Sequence, residues 1–210
     1  MNETTIIDAA RSGNVDAFNE LIHLHQDFLF RVALRIHGDE DSAADALQET
    51  MISAFRKLNT FRGGSLKHWL ARIIVNVCYD ELRHERRQRV IPLAKMSAND
   101  EEMEPGFWMA DPKAGPEEIC ESHELEHAIS ICLQSLTLVY RTALVLVDIE
   151  DYSYEEAAEI MGIPVNTVKS RLARARMKMR EALKGFEDQL PGRYRDELFQ
   201  KAQADVAYSA

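Results

Sequence analysis

Apolar residues recur at spacings of three and four along most of the chain, a period that predicts α-helices rather than strands. Thr4 or Thr5 is placed to cap a short first helix ending at Gly13. One longer helix is expected over 18–38, with Phe18, Leu21, Ile22, Leu29, Val32, Ala33 and Ile36 on one stripe and Gly38 closing it. Asp41 or Ser42 then caps a helix whose inner face is Leu47, Met51, Ala54, Phe55 and Leu58. After the loop TFRGGS (60–65), a long helix buries Leu66, Leu70, Ile73, Ile74 and Val77 and ends in RHERRQR. From 90 to 116 the period gives way to proline, glycine, acids and isolated apolar residues, as in a linker. Beyond it, Leu125, Ile129, Leu133 and Leu136 form one helix face, and TLVYRTALVLVDIED reads as a mostly buried helix. Leu190, Tyr194, Leu198, Ala202 and Val206 repeat every four residues, which suggests a marginal amphipathic tail helix. The expected architecture is all-α: a helical domain over 1–92, an acidic linker over 93–116, a second helical domain over 117–185 and a tail over 186–210.

The most informative stretch is 152–180. Ser153 followed three residues later by Glu156 forms a capping box, and Ala157, Ala158 and Ile160 give the helix a small apolar face. Gly162 suits a left-handed turn, and Pro164 suits the first turn of a following helix. Val165, Val168 and Leu172 then face inward together. Thr167, Lys169, Ser170, Arg171, Arg174 and Arg176 point outward or flank that face. From Val165 to Lys184 there are seven Lys or Arg residues against the single acid Glu181. This is the pattern of a helix-turn-helix with a basic recognition helix suited to a major groove, whereas a plain helical hairpin would need only the solvation of its charges.

Charge location sharpens this reading. The 210-residue chain carries a net charge of −10, which by itself argues against nucleic-acid binding. Ten acids between Asp100 and Glu126, opposed only by Lys113, account for −9 of it, and the bases gather at Arg83–Arg89 and Lys169–Lys184. Two faces of the first domain remain to be explained. Asp45, Gln48, Glu49 and Ile52 fall on one helix face, either a solvated surface or a docking site for another helix. Trp69, Arg72 and Asn76 share another, beside the Phe61–Arg62 loop. An aromatic, a cation and an amide suit single-stranded bases, but a core tryptophan and a locally bonded asparagine would read the same. Arg83, Arg86 and Arg87 could track a phosphate backbone.

No apolar run reaches membrane-spanning length and the N-terminus lacks a signal-peptide pattern, so a cytoplasmic protein with no membrane insertion is expected. Cys78, Cys120 and Cys132 form no even framework and are expected to be reduced. Cys120, His123, His127 and Cys132 have metal-like spacing, but Cys132 rotates away on a helix, so no metal is expected. Without a P-loop, a nucleotide-binding glycine fingerprint or a nucleophile elbow, the chain does not read as an enzyme, and no cofactor is expected.

The segments AADALQET (43–50), FRGGSLKHWLARIIVN (61–76) and YEEAAEIMGIPVNTVKSRLARAR (154–176), in this order, resemble the small extracytoplasmic-function (ECF) group of bacterial sigma factors. The resemblance covers most of 18–89 and 125–183. It implies that the first domain binds the clamp helices of core RNA polymerase through Asp45, Gln48, Glu49 and Ile52. It further implies that Phe61, Arg62, Trp69, Arg72, Asn76, Arg83, Arg86 and Arg87 contact and melt the minus-ten element. The second domain would meet the polymerase flap and read the minus-thirty-five duplex with Pro164, Asn166, Thr167, Lys169, Ser170, Arg171, Arg174 and Arg176. The acidic linker would run through basic channels of the polymerase, and an anti-sigma factor is an implied partner. Ala44 and Ala46 stand where the family has an acid and a leucine, Thr137 where it has a proline, and Ala173 offers DNA no bulky side chain. An autonomous helix-turn-helix regulator would instead need a dimer surface and a palindromic site. A helical adaptor would lay the basic helix on an acidic protein; replacing Arg171 and Arg174 with alanine would spare that partner complex, whereas in a sigma factor it would abolish minus-thirty-five-dependent transcription.

Overall fold

The computed structural model describes the backbone of residues 3–89 and 116–186, with side chains over 5–84 and 125–186. The expected linker, most of the tail and its apolar positions lie outside the described residues. The described chain is helical: α1 (Glu3–Arg11), α2 (Val15–His23), α3 (Gln26–His37), α4 (Glu40–Lys57) with a 3-10 turn at Leu58–Thr60, and α5 (Leu66–Arg89). There follow α6 (Pro116–Ser135), α7 (Leu138–Leu144), which widens into a π-helical segment at Val145–Ile149, α8 (Tyr154–Met161) and α9 (Val165–Lys184). Among the described residues there is no strand.

The core of the first half is built on α3, which packs against α4 and α5. Leu29, Val32 and Ile36 of α3 and Leu70 and Ile74 of α5 are almost completely buried. Helix α5 is covered on more than one side, by α3, α4 and α8. Its buried set therefore extends beyond the expected stripe to Ala71, Val75 and Cys78, while Val77 is only half-buried.

Several expected boundaries move. Helix α1 begins at Glu3, so Thr4 and Thr5 lie inside it rather than capping it. The single helix expected over 18–38 is two helices, broken at Leu24–His25, where the His25 N–H bonds the Ile22 carbonyl. No glycine, proline or capping side chain marks that break, and the apolar stripe runs across it unaltered, so periodicity cannot locate it. Asn14 caps α2 by accepting from the Ala17 N–H at 3.1 Å. Asp39, rather than Asp41 or Ser42, caps α4 by accepting from the Ser42 N–H at 2.8 Å. Gly38 closes α3 in the left-handed region, as expected.

The largest correction concerns α4. Its fully buried face is Ala43, Ala46, Thr50 and Ala54, with Leu47 and Met51 partly covered. Phe55, expected in the core, is 44% exposed, its ring meeting Phe18 edge-on at 5.0 Å. Small side chains let two helices approach closely, so the alanine face, rather than the bulkiest one, turns to the contact. This also accounts for Ala46, where the resembling family carries leucine.

Leu29→Ala should therefore lower the unfolding free energy by about 3 kcal/mol, the usual cost of an unfilled core cavity, whereas Phe55→Ala should lower it by less than about 1 kcal/mol. Urea melts followed by circular dichroism check this, and equal losses at the two positions would contradict the observed face of α4.

Candidate nucleic-acid interface

The turn between α8 and α9 is specified locally. Glu156 donates its N–H to Ser153 Oγ at 3.2 Å, and the Ser153 N–H and hydroxyl donate to Glu156 Oε2 at 2.9 and 2.8 Å. The reciprocal bonds satisfy donors that α8 would otherwise leave open. They also hold the Glu156 carboxyl below its usual range, the backbone N–H of Ser153 being the largest cause. Gly162 ends α8 at φ 64°, a conformation that costs glycine nothing. Pro164 is the N-cap of α9, at ψ 146°, one residue earlier than expected; helical geometry starts at Val165.

Helix α9 buries Val168, Leu172, Ala175 and Leu183. Opposite them, Asn166, Lys169, Ser170 and Arg174 are exposed with Pro164, while Thr167 and Arg171 are half-buried at the edge. Lys169 Nζ lies 5.6 Å from the Tyr154 ring, and Arg174 Nη1 donates to the Tyr140 hydroxyl at 3.4 Å. That bond lowers the pKa of the Tyr140 phenol and raises that of Arg174. Arg176 behaves differently from its neighbours. It is clamped to Asp148 of the π segment, Nη2 to Oδ1 at 2.7 Å and Nε to Oδ2 at 2.9 Å, so it braces α9 rather than standing free beside the groove-facing cations.

The second expected surface is only partly assembled. Gly63 and Gly64 take φ 97° and 90°, so the loop turns where other residues would be strained. Ser65 Oγ accepts from the His68 N–H at 3.2 Å to start α5. Arg62, Arg72, Asn76 and Arg83 are exposed, and Trp69 is half-buried. Phe61, expected at the nucleic-acid surface, is 5% exposed instead. Its ring packs on Trp69 at 5.6 Å, and its carbonyl accepts from Arg11 Nη2, an interaction the spacing of the motif could not reveal. Phe61 thus sets the angle of the Trp69 ring instead of presenting its own. Arg86 and Arg87 lie on the last turns of α5, beyond the described side chains.

On α4, Asp45, Gln48 and Glu49 are exposed, and Ile52 is 38% exposed. Phe55 continues that face three residues on, which forms an exposed Ile52–Phe55 pair beside three polar groups. The i, i+3 series in the sequence contains this extension, but hydrophobicity assigned Phe55 to the core. Cys132 is buried while His127 is exposed, so these two do not share a side. Thr137 immediately precedes α7 as its N-cap residue, without a side-chain capping bond, and Ala173 is exposed on α9. Among the described residues, no helix is long and apolar enough to cross a membrane.

Comparison with known proteins covers both surfaces. The family profile described as Sigma-70 region 2 matches residues 21–88, and that described as Sigma-70, region 4 matches 127–179. The RNA polymerase sigma-H factor of Pseudomonas aeruginosa is 34% identical over 179 residues, covering 85% of this chain and 92% of that protein. The ECF RNA polymerase sigma factor SigE of Mycolicibacterium smegmatis is 34% identical over 181 residues, covering 86% of this chain and 67% of that one. Among solved structures, the sigma factor RpoE in complex with the anti-sigma factor NepR from Bartonella quintana matches with a TM-score of 0.61 and 27% identity, covering 80% of this chain and 96% of that one.

Two measurements test the geometry. Glu156 is held ionised in the folded state, so its contribution is complete above the unfolded glutamate range and is lost as pH falls through its lowered value. Glu156→Gln should therefore flatten the acid limb of a thermal-melt pH profile, and an unaltered limb would contradict the capping bond. Arg174→Ala should reduce the salt slope of duplex DNA binding by about one unit, as for a lost phosphate contact, while Arg176→Ala should chiefly lower thermal stability.

Proposed function

Because the chain belongs to the ECF group of the sigma-70 family, we propose that it recognises promoters with two separate surfaces while bound to core RNA polymerase. The observation that carries the reading is the exposed file Asn166, Lys169, Ser170 and Arg174 on a helix whose opposite face is fully buried. Its N-terminal residues enter the major groove of the minus-thirty-five element, with Pro164, Thr167 and Arg171 at the edge and Arg176 bracing the helix. Exposed Arg72 and Asn76, with the Trp69 ring propped by Phe61, meet the opened minus-ten strand. Arg62 and Arg83 lie alongside to take phosphates, and Arg86 and Arg87 extend that row.

Asp45, Gln48, Glu49, Ile52 and Phe55 dock on the clamp helices of the largest polymerase subunit. An exposed apolar pair rimmed by polar side chains is the composition such a docking patch requires. The second module, residues 117–185, sits on the flap of the second-largest subunit, and the acidic segment around 93–116 threads the enzyme's basic channels. Each DNA contact alone is weak, and the polymerase makes the second one intramolecular once the first has formed. One structural relative is a sigma factor in complex with an anti-sigma factor, and another, CnrH, is in complex with the cytosolic domain of CnrY, which supports an anti-sigma protein as a partner of this chain and a cytoplasmic place of action.

Run-off transcription with core polymerase over a promoter library tests the reading, with new start sites expected only when the chain is added. Asp45→Arg combined with Glu49→Arg should weaken capture by core polymerase about tenfold while leaving the circular dichroism spectrum unaltered. Start sites that do not depend on the chain, or undiminished capture by this variant, would refute the corresponding part.

A further inference from the structure

We propose that Arg11, the last residue of α1, is a positioning residue for the minus-ten surface. It fixes the peptide that leads into the loop over 62–65 and, through Phe61, the ring of Trp69. The consequence for promoters rests on the reading above, whereas the contact itself rests on geometry alone. Arg11 lies ahead of residues 21–88, the stretch that the region 2 profile matches, so the motif that carries the loop does not contain the residue that holds it. Its own place is set locally. Two backbone bonds close α1, from the Asn14 N–H to the Ala9 carbonyl at 3.1 Å and from the Gly13 N–H to the Ala10 carbonyl at 3.0 Å, with Gly13 at φ 93°. Ile6, Ile7 and Ala10 bury the same helix in the core of the first half. Arg11 thus projects from a fixed helix end, where the open carbonyls favour a cation.

Both long-range contacts of this side chain go to one residue. Arg11 Nη2 donates to the Phe61 carbonyl, and the guanidinium carbon stands 5.8 Å from the centre of the Phe61 ring. Arg11 Nη1 meets Asp8 Oδ1 only at 3.5 Å, on the exposed side of α1. Arg11 Nε is buried and has no hydrogen-bond partner among the described residues. A cation that served α1 alone could swing that donor into water, so the buried pose is held by Phe61.

The loop depends on that hold. Phe61 is where the chain leaves the 3-10 turn, at φ −68° and ψ 115°. In a planar trans peptide the carbonyl oxygen and the following amide hydrogen point opposite ways. With the Phe61 carbonyl turned to Arg11, the Arg62 N–H is aimed away from it. Further on, a Cβ added at Gly63 or Gly64 would meet nothing within 4 Å, so packing does not hold the tip. The conformation is set at two anchors, the Arg11–Phe61 contact at the start and the Ser65–His68 bond at the end. Trp69 follows the first anchor, its ring tilted 53° to that of Phe61. A preorganised loop loses less freedom when it takes an opened strand, so Arg11 governs the contact without touching the strand.

Full-length variants bound to core polymerase test this. Arg11→Ala should slow opening of the minus-ten strands about tenfold, read by 2-aminopurine fluorescence, and weaken discrimination among minus-ten bases by a similar factor. Capture by core polymerase and discrimination at the minus-thirty-five element should stay unaltered. Arg11→Lys keeps one charged donor and should recover part of the loss, whereas Asp8→Ala removes only the exposed pair and should lose nothing. Ile6→Val loosens the same helix by one methylene, so it should lower the melting temperature and leave base discrimination intact. Circular dichroism checks folding, and Arg11→Gln, which keeps most of the stem, replaces Arg11→Ala if that variant unfolds. In a Trp108→Phe background Trp69 is the sole tryptophan, and its fluorescence anisotropy in the free chain should fall with Arg11→Ala. Unchanged Trp69 anisotropy, undiminished minus-ten discrimination, or an equal loss in Ile6→Val, in Asp8→Ala or at the minus-thirty-five element would overturn the proposal. Failure of the wild-type holoenzyme to open any promoter would count against the promoter reading instead, and the Trp69 measurement would still decide the anchor.

Discussion

A buried guanidinium must find acceptors for its donors or forfeit the solvation it had in water, and Arg141 meets that demand at a junction of helix ends. Ile36 and Gln134 supply carbonyls that their own helices leave open, and Leu136 one from the turn between α6 and α7, so one cation terminates α3 and α6 together. The start of α7 is thereby tied to both ends. Helix α7 and its π-helical continuation then form the bed on which α9 lies, and Asp148 on that bed holds Arg176. The orientation of the recognition helix thus traces back to a charge that touches no DNA.

The cations of α9 fall into two kinds despite similar sequence surroundings. Lys169 and Arg174 rest on aromatic groups, Tyr154 and Tyr140, contacts that steady a side chain without neutralising it. Arg176 is matched by a carboxylate in bidentate geometry, which removes most of its field from the surface. Lys169, Arg171 and Arg174 thereby keep their charge on the first half of α9, the end that helix-turn-helix proteins place against base edges. A similar division holds on α5. Phe61 is spent on packing and Trp69 is half-covered, while Arg72 and Asn76 remain exposed.

Legibility followed the range of the interactions. The Ser153–Glu156 capping box, the left-handed Gly38 and Gly162, the α9 core of Val168 and Leu172 and the polar face of Asp45, Gln48 and Glu49 all depend on residues within about one helical turn, and sequence spacing reports them directly. Phe55 was misplaced because hydrophobicity does not say which face of a helix the close approach of alanines selects. Phe61 was misplaced because its partner Arg11 is distant in sequence and no motif joins them.

The sequence alone determined the helical class, the order of two modules, the turn that sets α9 after α8 and the family that these imply. Each is written in local periodicity, capping chemistry or motif order. Tertiary structure alone decided where α2 stops, which face of α4 is buried, which arginine is braced and that Arg141 clasps α3. Those outcomes depend on surfaces brought together from opposite ends of the chain, where packing and the satisfaction of buried polar groups outweigh any local preference.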